Sequence, residues 1–370
     1  MSGSVGEMQS HGNLTANDSG GEEIPSWANG ISRAMGIATA VIFLVTFALG
    51  VVGNGLVIWV AVFRMTWSVN RVWYLSLALA DFPFTLLLPL SAAYVALGTH
   101  WPFGLFMCQV TSGLSVLTMF ASILMLAAIS VDRCSVVLFP TWSRNRRGPR
   151  LAAVVSAVVW VASVAFSVPS FVYRDIVEED NHTICLTVFT SAAEEQAVLK
   201  SAEDYGQAVA ALNALEASRF RSLSTARILG GLLFPLVVIG TSYVTLSLRL
   251  RRHRLVTRPG GRKPFRLLAA MVIAFLVCWS PYHALLLAEL QQPTGVPLPL
   301  ALTLSTPLAS GLAAFNSCVN PVLYAYMGRD FHRNVWCSLP RILEKALAED
   351  CVPSARTRSS LLGEAGSTLV

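Results

Sequence analysis

Asn316-Ser317-Cys318-Val319-Asn320-Pro321-Val322-Leu323-Tyr324 is the stretch whose reading decides the fold. It puts two asparagines, a serine and a proline at the end of a long apolar run, 299–326. Amides and hydroxyls are costly in hydrocarbon unless partnered, so such a run reads as a membrane helix with its polar face turned toward other helices. Working outward, six more apolar runs precede it, at 35–63, 71–97, 105–138, 150–172, 220–248 and 265–290. Each supplies the ~20 residues that a membrane helix needs. Backbone groups in lipid must bond within their own segment, so the spans are helices. Only 13% of the 370 residues are charged, against ~25% in soluble domains. The expected fold is therefore an all-α membrane protein, a seven-transmembrane helix bundle. A soluble protein with this many buried helices would have almost no polar surface.

Basic residues orient the bundle. The N-terminal side holds Arg33, Arg174, Lys200 and Arg219. The opposite side holds Arg144, Arg146, Arg147, Arg150 and a basic run from Arg249 to Arg266. The excess places the C-terminus in the cytoplasm, as expected for a multi-pass plasma-membrane protein. The net charge of +6 then reflects topology and calls for no nucleic-acid partner. Residues 1–34 read as an extracellular tail with glycosylation sequons at Asn13 and Asn17, and a third sequon at Asn181 falls on the same side. No signal peptide is expected, because those 34 residues are polar. Residues 35–326 form the seven-helix bundle and 327–339 an amphipathic eighth helix on the inner membrane surface. Residues 340–370 are a cytoplasmic tail rich in phosphorylatable Ser and Thr. Cys337, closing the eighth helix, is a candidate for palmitoylation. Of seven cysteines, only Cys108 and Cys185 fall in outer segments, so oxidation leaves them as the one sensible disulfide. The outer segment 173–219 is acid-rich, and its part from Ala192 to Ala217 has helix-forming composition. It reads either as a solvated lid or as a recognition surface for a basic partner.

Taken together, these motifs resemble the rhodopsin-like (class A) G-protein-coupled receptors over residues 35–337. Gly53-Asn54 lies in span one, Leu77-Ala78-Leu79-Ala80-Asp81 in span two, and Cys108 precedes Arg133 by 25 residues. Trp160, Pro235, Tyr243, Cys278-Trp279-Ser280-Pro281 and the Asn320-Pro321-x-x-Tyr324 run complete the ordered set. Ser130-Val131-Asp132-Arg133-Cys134, Pro140-Thr141-Trp142-Ser143 and His100-Trp101-Pro102-Phe103-Gly104 resemble the leukocyte chemoattractant branch, with its chemerin, formyl-peptide and complement anaphylatoxin receptors. The Ala-rich stretch 192–217 and the sparsely acidic N-tail depart from the chemerin pattern.

The resemblance implies roles. Asp81, Ser122, Asn316 and Asn320 would hold an allosteric sodium ion, and hard oxygen donors suit a small cation. The alternative is a neutral, hydrogen-bonded Asp81. Asp132 and Arg133 would pair at rest, and Arg133 would swing to the G protein on activation, bridged by Tyr243 and Tyr324. Pro281 kinks span six, with Phe275 and Trp279 one turn apart as a relay beneath the ligand. Asn320 and Pro321 complete the switch.

Arg227, eight residues before Pro235, faces inward in relatives and suits a carboxylate. Arg174 assists at the mouth, and Tyr282, His283 and Glu289 line the opposite wall. Glu289 is also a candidate resting partner for Arg227 or Arg174. Val116 and Leu223 stand where formyl-peptide receptors carry an acid and a second Arg, which argues against formyl peptides. The expected function is a receptor for a chemoattractant peptide or protein with an anionic C-terminus, coupling to Gi and arrestin. Rivals are a lipid-mediator receptor of the prostaglandin D type and a non-signalling decoy, which the intact Asp132-Arg133 and Asn320-Pro321 disfavour. No internal repeat supports a transporter, and no nucleophile–base set supports an enzyme.

Overall fold

The computed structural model describes residues 26–179, 182–202, 204–253, 263–292 and 299–327. Span one is α1 (Ser26–Phe63), span two α2 (Val69–Ala96) and span three α3 (Gly104–Leu138). A short α4 (Pro140–Arg146) precedes span four, α5 (Pro149–Val172). A hairpin of β1 (Arg174–Glu179) and β2 (His182–Thr187) follows, then α6 (Ala192–Ser201). Span five is α7 (Tyr205–Ile228), a π turn (Leu229–Leu233) and α8 (Phe234–His253). Span six is α9 (Lys263–Gln291) and span seven α10 (Leu300–Met327). The predicted eighth helix, the tail with Cys337, and the sequons at Asn13, Asn17 and Asn181 lie outside the described residues.

Local chemistry sets the helix boundaries. Ser68 caps α2 by accepting from the Arg71 N–H, and Gly148 with Pro149 opens α5. Ser191 and Glu194 form a reciprocal capping box on α6, and Asp204 caps α7. Prolines sit inside the membrane helices at Pro83, Pro89, Pro169, Pro281, Pro307 and Pro321. Each removes one backbone donor, a loss tolerated where neighbouring helices and side chains satisfy the freed carbonyl. The π turn stands just before Pro235. Pro235 offers no N–H to the preceding turn, and the wider turn accommodates its ring.

Six helices are long and apolar enough to cross a membrane by composition; α10 falls short of that measure. Its shortfall lies in buried polar groups, including Thr306, Ser310, Asn316, Ser317 and Asn320. Conversely, Val52, Val161, Val237 and Val277 point outward. A polar inside with an apolar outside is what lipid as solvent selects. The core between the helices is packed by Leu77, Phe120, Ile123, Met125, Leu126, Phe275 and Trp279.

Three outer features differ from the sequence expectation: span one begins at Ser26, nine residues inside the segment read as tail, and two more lie in the outer segment before span five. The stretch 192–217 is two helices rather than one: α6 ends at Ser201 and α7 runs on continuously from Tyr205 into the membrane. Span five therefore begins 15 residues before the expected 220. The segment ahead of α6 is an antiparallel hairpin, with Arg174 opposite Thr187 and Ile176 opposite Cys185. This pairing delivers Cys185 to Cys108, and the expected disulfide is formed. Trp101 anchors the hairpin: its backbone N–H donates to the Thr183 carbonyl at 2.7 Å, and its ring packs edge-on against Tyr94 and Phe103.

Candidate functional site

An outer cavity of about 730 Å³ lies under the hairpin. Ser112 and Val116 of α3, Ser170 of α5, and Arg174 and Thr187 of the hairpin line one part of it. Phe189, then Phe220, Leu223, Ser224 and Arg227 of α7, line a second. Tyr282, Leu285, Leu286 and Glu289 of α9 and Thr306 of α10 close it. Arg227, Arg174, Tyr282 and Glu289 thus share one chamber. His283 does not line it. It is buried behind Trp279, and its Nδ1 lies 3.0 Å from the Trp279 carbonyl. A carbonyl only accepts, so Nδ1 carries the proton. The single turn between Trp279 and His283 draws the imidazole onto its own helix backbone, away from the chamber.

Arg227 Nη2 donates to Ser170 Oγ at 3.0 Å. Glu289 faces Arg227 electrostatically across the chamber but is not among the ion pairs within 4.0 Å of the described residues. The expected Arg227–Glu289 pair is therefore not made at contact distance, because Ser170 holds the guanidinium against α5. The hairpin end of the chamber is fixed by Gln109 Nε2, which donates to the Arg174 carbonyl at 3.3 Å.

Below the chamber, Phe275 and Trp279 stack with centroids 5.8 Å apart, and Trp279 meets Tyr282 edge-on at 5.7 Å. The expected relay is thus continuous with the chamber wall through Tyr282.

Deeper still, Asp81 is fully buried. Ser122 Oγ donates to its Oδ1 at 3.4 Å and Asn320 Nδ2 to its Oδ2 at 3.0 Å. Asn316 is buried one turn before Asn320. Asn54 ties span one to the same layer, donating to the Ser317 carbonyl at 2.9 Å. Among the described residues, no cationic side chain pairs with Asp81. The enclosed carboxylate meets the Ser122 hydroxyl and the Asn320 amide N–H; turned toward an ion, such hydroxyl and amide groups can offer the hard oxygen donors that a small monovalent cation takes.

At the cytoplasmic end, Asp132 accepts two hydrogen bonds from Arg147, at 2.8 and 2.9 Å. Arg133 lies farther from Asp132, at 3.7 Å, and donates to Asn70 Oδ1 at 2.5 Å. Tyr324 is buried and packs on Tyr74 at 4.5 Å, while Tyr243 packs on the main core cluster. Asn70 and Arg147 went unrecognised in the sequence. Arg147 belongs to a basic run whose charges already serve topology, so nothing in the pattern singles it out.

The chain matches the family described as 7 transmembrane receptor (rhodopsin family) over residues 53–206 and 207–324. It belongs to that family. It is 38% identical to the mouse (Mus musculus) chemerin-like receptor 1 over 334 residues, which cover 90% of this chain and 86% of that receptor. It is 35% identical to the human (Homo sapiens) fMet-Leu-Phe receptor over 359 residues, covering 95% and 96%. It is 34% identical to a C3a anaphylatoxin chemotactic receptor of Oncorhynchus mykiss over 338 residues, covering 91% and 85%. This rhodopsin-family receptor is thus a multi-pass plasma-membrane G-protein-coupled receptor related to chemoattractant receptors, not an enzyme. Its family implies an extracellular ligand and a G protein as partners.

Proposed function

We propose that this receptor binds a chemoattractant peptide or protein whose anionic C-terminus enters the outer cavity and pairs with Arg227. The observation that carries this reading is the state of Arg227. It lines the chamber with a neutral hydroxyl as its hydrogen-bond partner, and a guanidinium in a membrane helix is costly unless paired or hydrated. Its planar fork suits a carboxylate held by two parallel bonds. Arg174 adds a second cation at the hairpin end, and Tyr282 couples occupancy to Trp279. Ligand binding then shifts a two-state equilibrium toward the form in which span six opens. Gi is the G protein in this reading, supported by the short connection between spans five and six, and arrestin binds the Ser/Thr-rich tail. Sodium held by Asp81, Ser122, Asn316 and Asn320 favours the resting form.

The test is pertussis-toxin-sensitive inhibition of cAMP in cells expressing the chain. The challenge is a chemerin C-terminal peptide as free acid and as C-terminal amide. A response to the acid alone supports the reading, and equal responses reject the carboxylate anchor. Arg227→Ala is expected to weaken agonist potency by at least about tenfold at unchanged surface expression, the size of one charge-assisted hydrogen bond.

A further inference from the structure

A second cleft, open to the outside of the bundle, lies between spans three, four and five. Phe120 of α3, Ala165, Phe166, Pro169 and Ser170 of α5, and Leu223, Ala226 and Arg227 of α7 line it. Ser170, Leu223 and Arg227 also line the outer chamber, so those three side chains form the wall between the two spaces. Ala165 and Phe166 are exposed on the outer, lipid-facing side of α5. The slot therefore leads from the lipid face of the bundle to the guanidinium.

Its floor is built for close packing. Phe120 and Phe166 stack with centroids 4.6 Å apart. Gly230, in the π turn, sits against them, and a Cβ there would meet each ring at 3.3 Å. Along the slot the lining is otherwise apolar, and Arg227 with Ser170 supplies the polar group at its inner end. An apolar channel ending on a cation matches a single acyl chain ending in a carboxylate.

We propose that the groove between spans four and five is a lateral site for a long-chain carboxylate taken from the bilayer, with its head on Arg227 and its chain along Phe120, Phe166, Pro169 and Leu223. This rests on the reading of Arg227 as an anion anchor. It adds a second entrance to the same cation, so that acyl carboxylate and peptide C-terminus compete.

The test uses the full receptor in phosphatidylcholine nanodiscs and a diazirine-bearing palmitate as probe. Photolabelling is expected on spans four and five, displaced by oleate and not by oleyl alcohol. Ala165→Trp fills the slot and is expected to cut labelling at least fivefold, with the response to acidic peptide unchanged. Val164→Trp puts the same bulk on the neighbouring exposed position and leaves labelling intact. Arg227→Ala abolishes labelling by the carboxylate. Labelling that survives Ala165→Trp or Arg227→Ala overturns the site. Displacement by oleyl alcohol as strong as by oleate also overturns it, because the probe then reports ordinary lipid contact. Retained peptide response in Ala165→Trp separates this outcome from failure of the peptide reading, which the acid and amide pair decides on its own.

Discussion

Asp132 shows how one side chain's partner changes the reading of a motif. Its neighbour Arg133 is 3.7 Å away, whereas Arg147 from the second inner connection makes a two-point contact at 2.8 and 2.9 Å. Two parallel N–H···O bonds outweigh one long ion pair, so Arg147 holds Asp132 and leaves Arg133 to Asn70. Removing Arg147 frees Asp132 to draw Arg133 inward. Arg147→Ala is therefore expected to lower agonist-driven nucleotide exchange severalfold in membranes, at equal receptor number. A rise instead would mean that Arg147 locks the resting state. Gly53 is a second case. A Cβ there would stand 2.8 Å from the Pro321 ring, which cannot rotate away. Gly53→Ala is expected to cost about 1–3 kcal/mol by overpacking, read as a lower Tm of the solubilised receptor.

At the scale of elements, the outer helices depend on a cross-contact. Arg219 of α7 binds both carboxylate oxygens of Glu194 and also donates to the Phe189 carbonyl. Thr190 donates to Glu216 at 2.8 Å from the other side. The Arg219 hydrogen bonds, joined by the Ser191 cap, pull the Glu194 carboxyl from its ordinary 4.5 down to about 2. A depressed carboxyl stabilises the docked form fully above its ordinary pKa, and that contribution is lost as pH falls through the folded value. Docking of α6 on α7 should hold from neutral pH to about 4.5 and loosen from there toward 2. Hydrogen exchange across 192–201, corrected for intrinsic rates, should rise in that window. Glu194→Gln should show the raised exchange already at pH 7; a wild-type profile flat with pH would refute the latch. The same cross-contact ties the middle of α7, at Glu216 and Arg219, to the segment that follows β2 and to the first turn of α6.

At the scale of the whole molecule, Asp81 gathers groups from three spans. Ser122 comes from α3, Asn320 from α10, and Asn54 on α1 fixes the Ser317 backbone beside them. A cation in this layer favours the packing in which those helices stay together, and by linkage it opposes an agonist that separates them. Physiological NaCl is expected to weaken agonist binding by about fivefold or more. Asp81→Asn should make the affinity independent of NaCl. A wild-type affinity indifferent to sodium but sensitive to pH would instead favour the neutral, hydrogen-bonded Asp81.

The seven-span membrane architecture was legible in the chain itself, because hydropathy and basic-residue bias act on single segments. The disulfide was legible too, since compartment left Cys108 one partner. What followed from neighbours distant in sequence was not. The partner of Asp132 depended on where α4 lies under α3, and Arg147 looked like any topogenic charge. His283 turned to its own Trp279 carbonyl once the α9 helix closed around it. Arg227 took the Ser170 hydroxyl, with Glu289 beyond contact distance across the chamber. The lateral slot exists only where α5 and α7 stand apart. Composition determines which segments enter lipid, since each residue pays its solvation cost alone; which polar groups meet there is decided by helix packing, since a hydrogen bond needs both partners within about 3 Å.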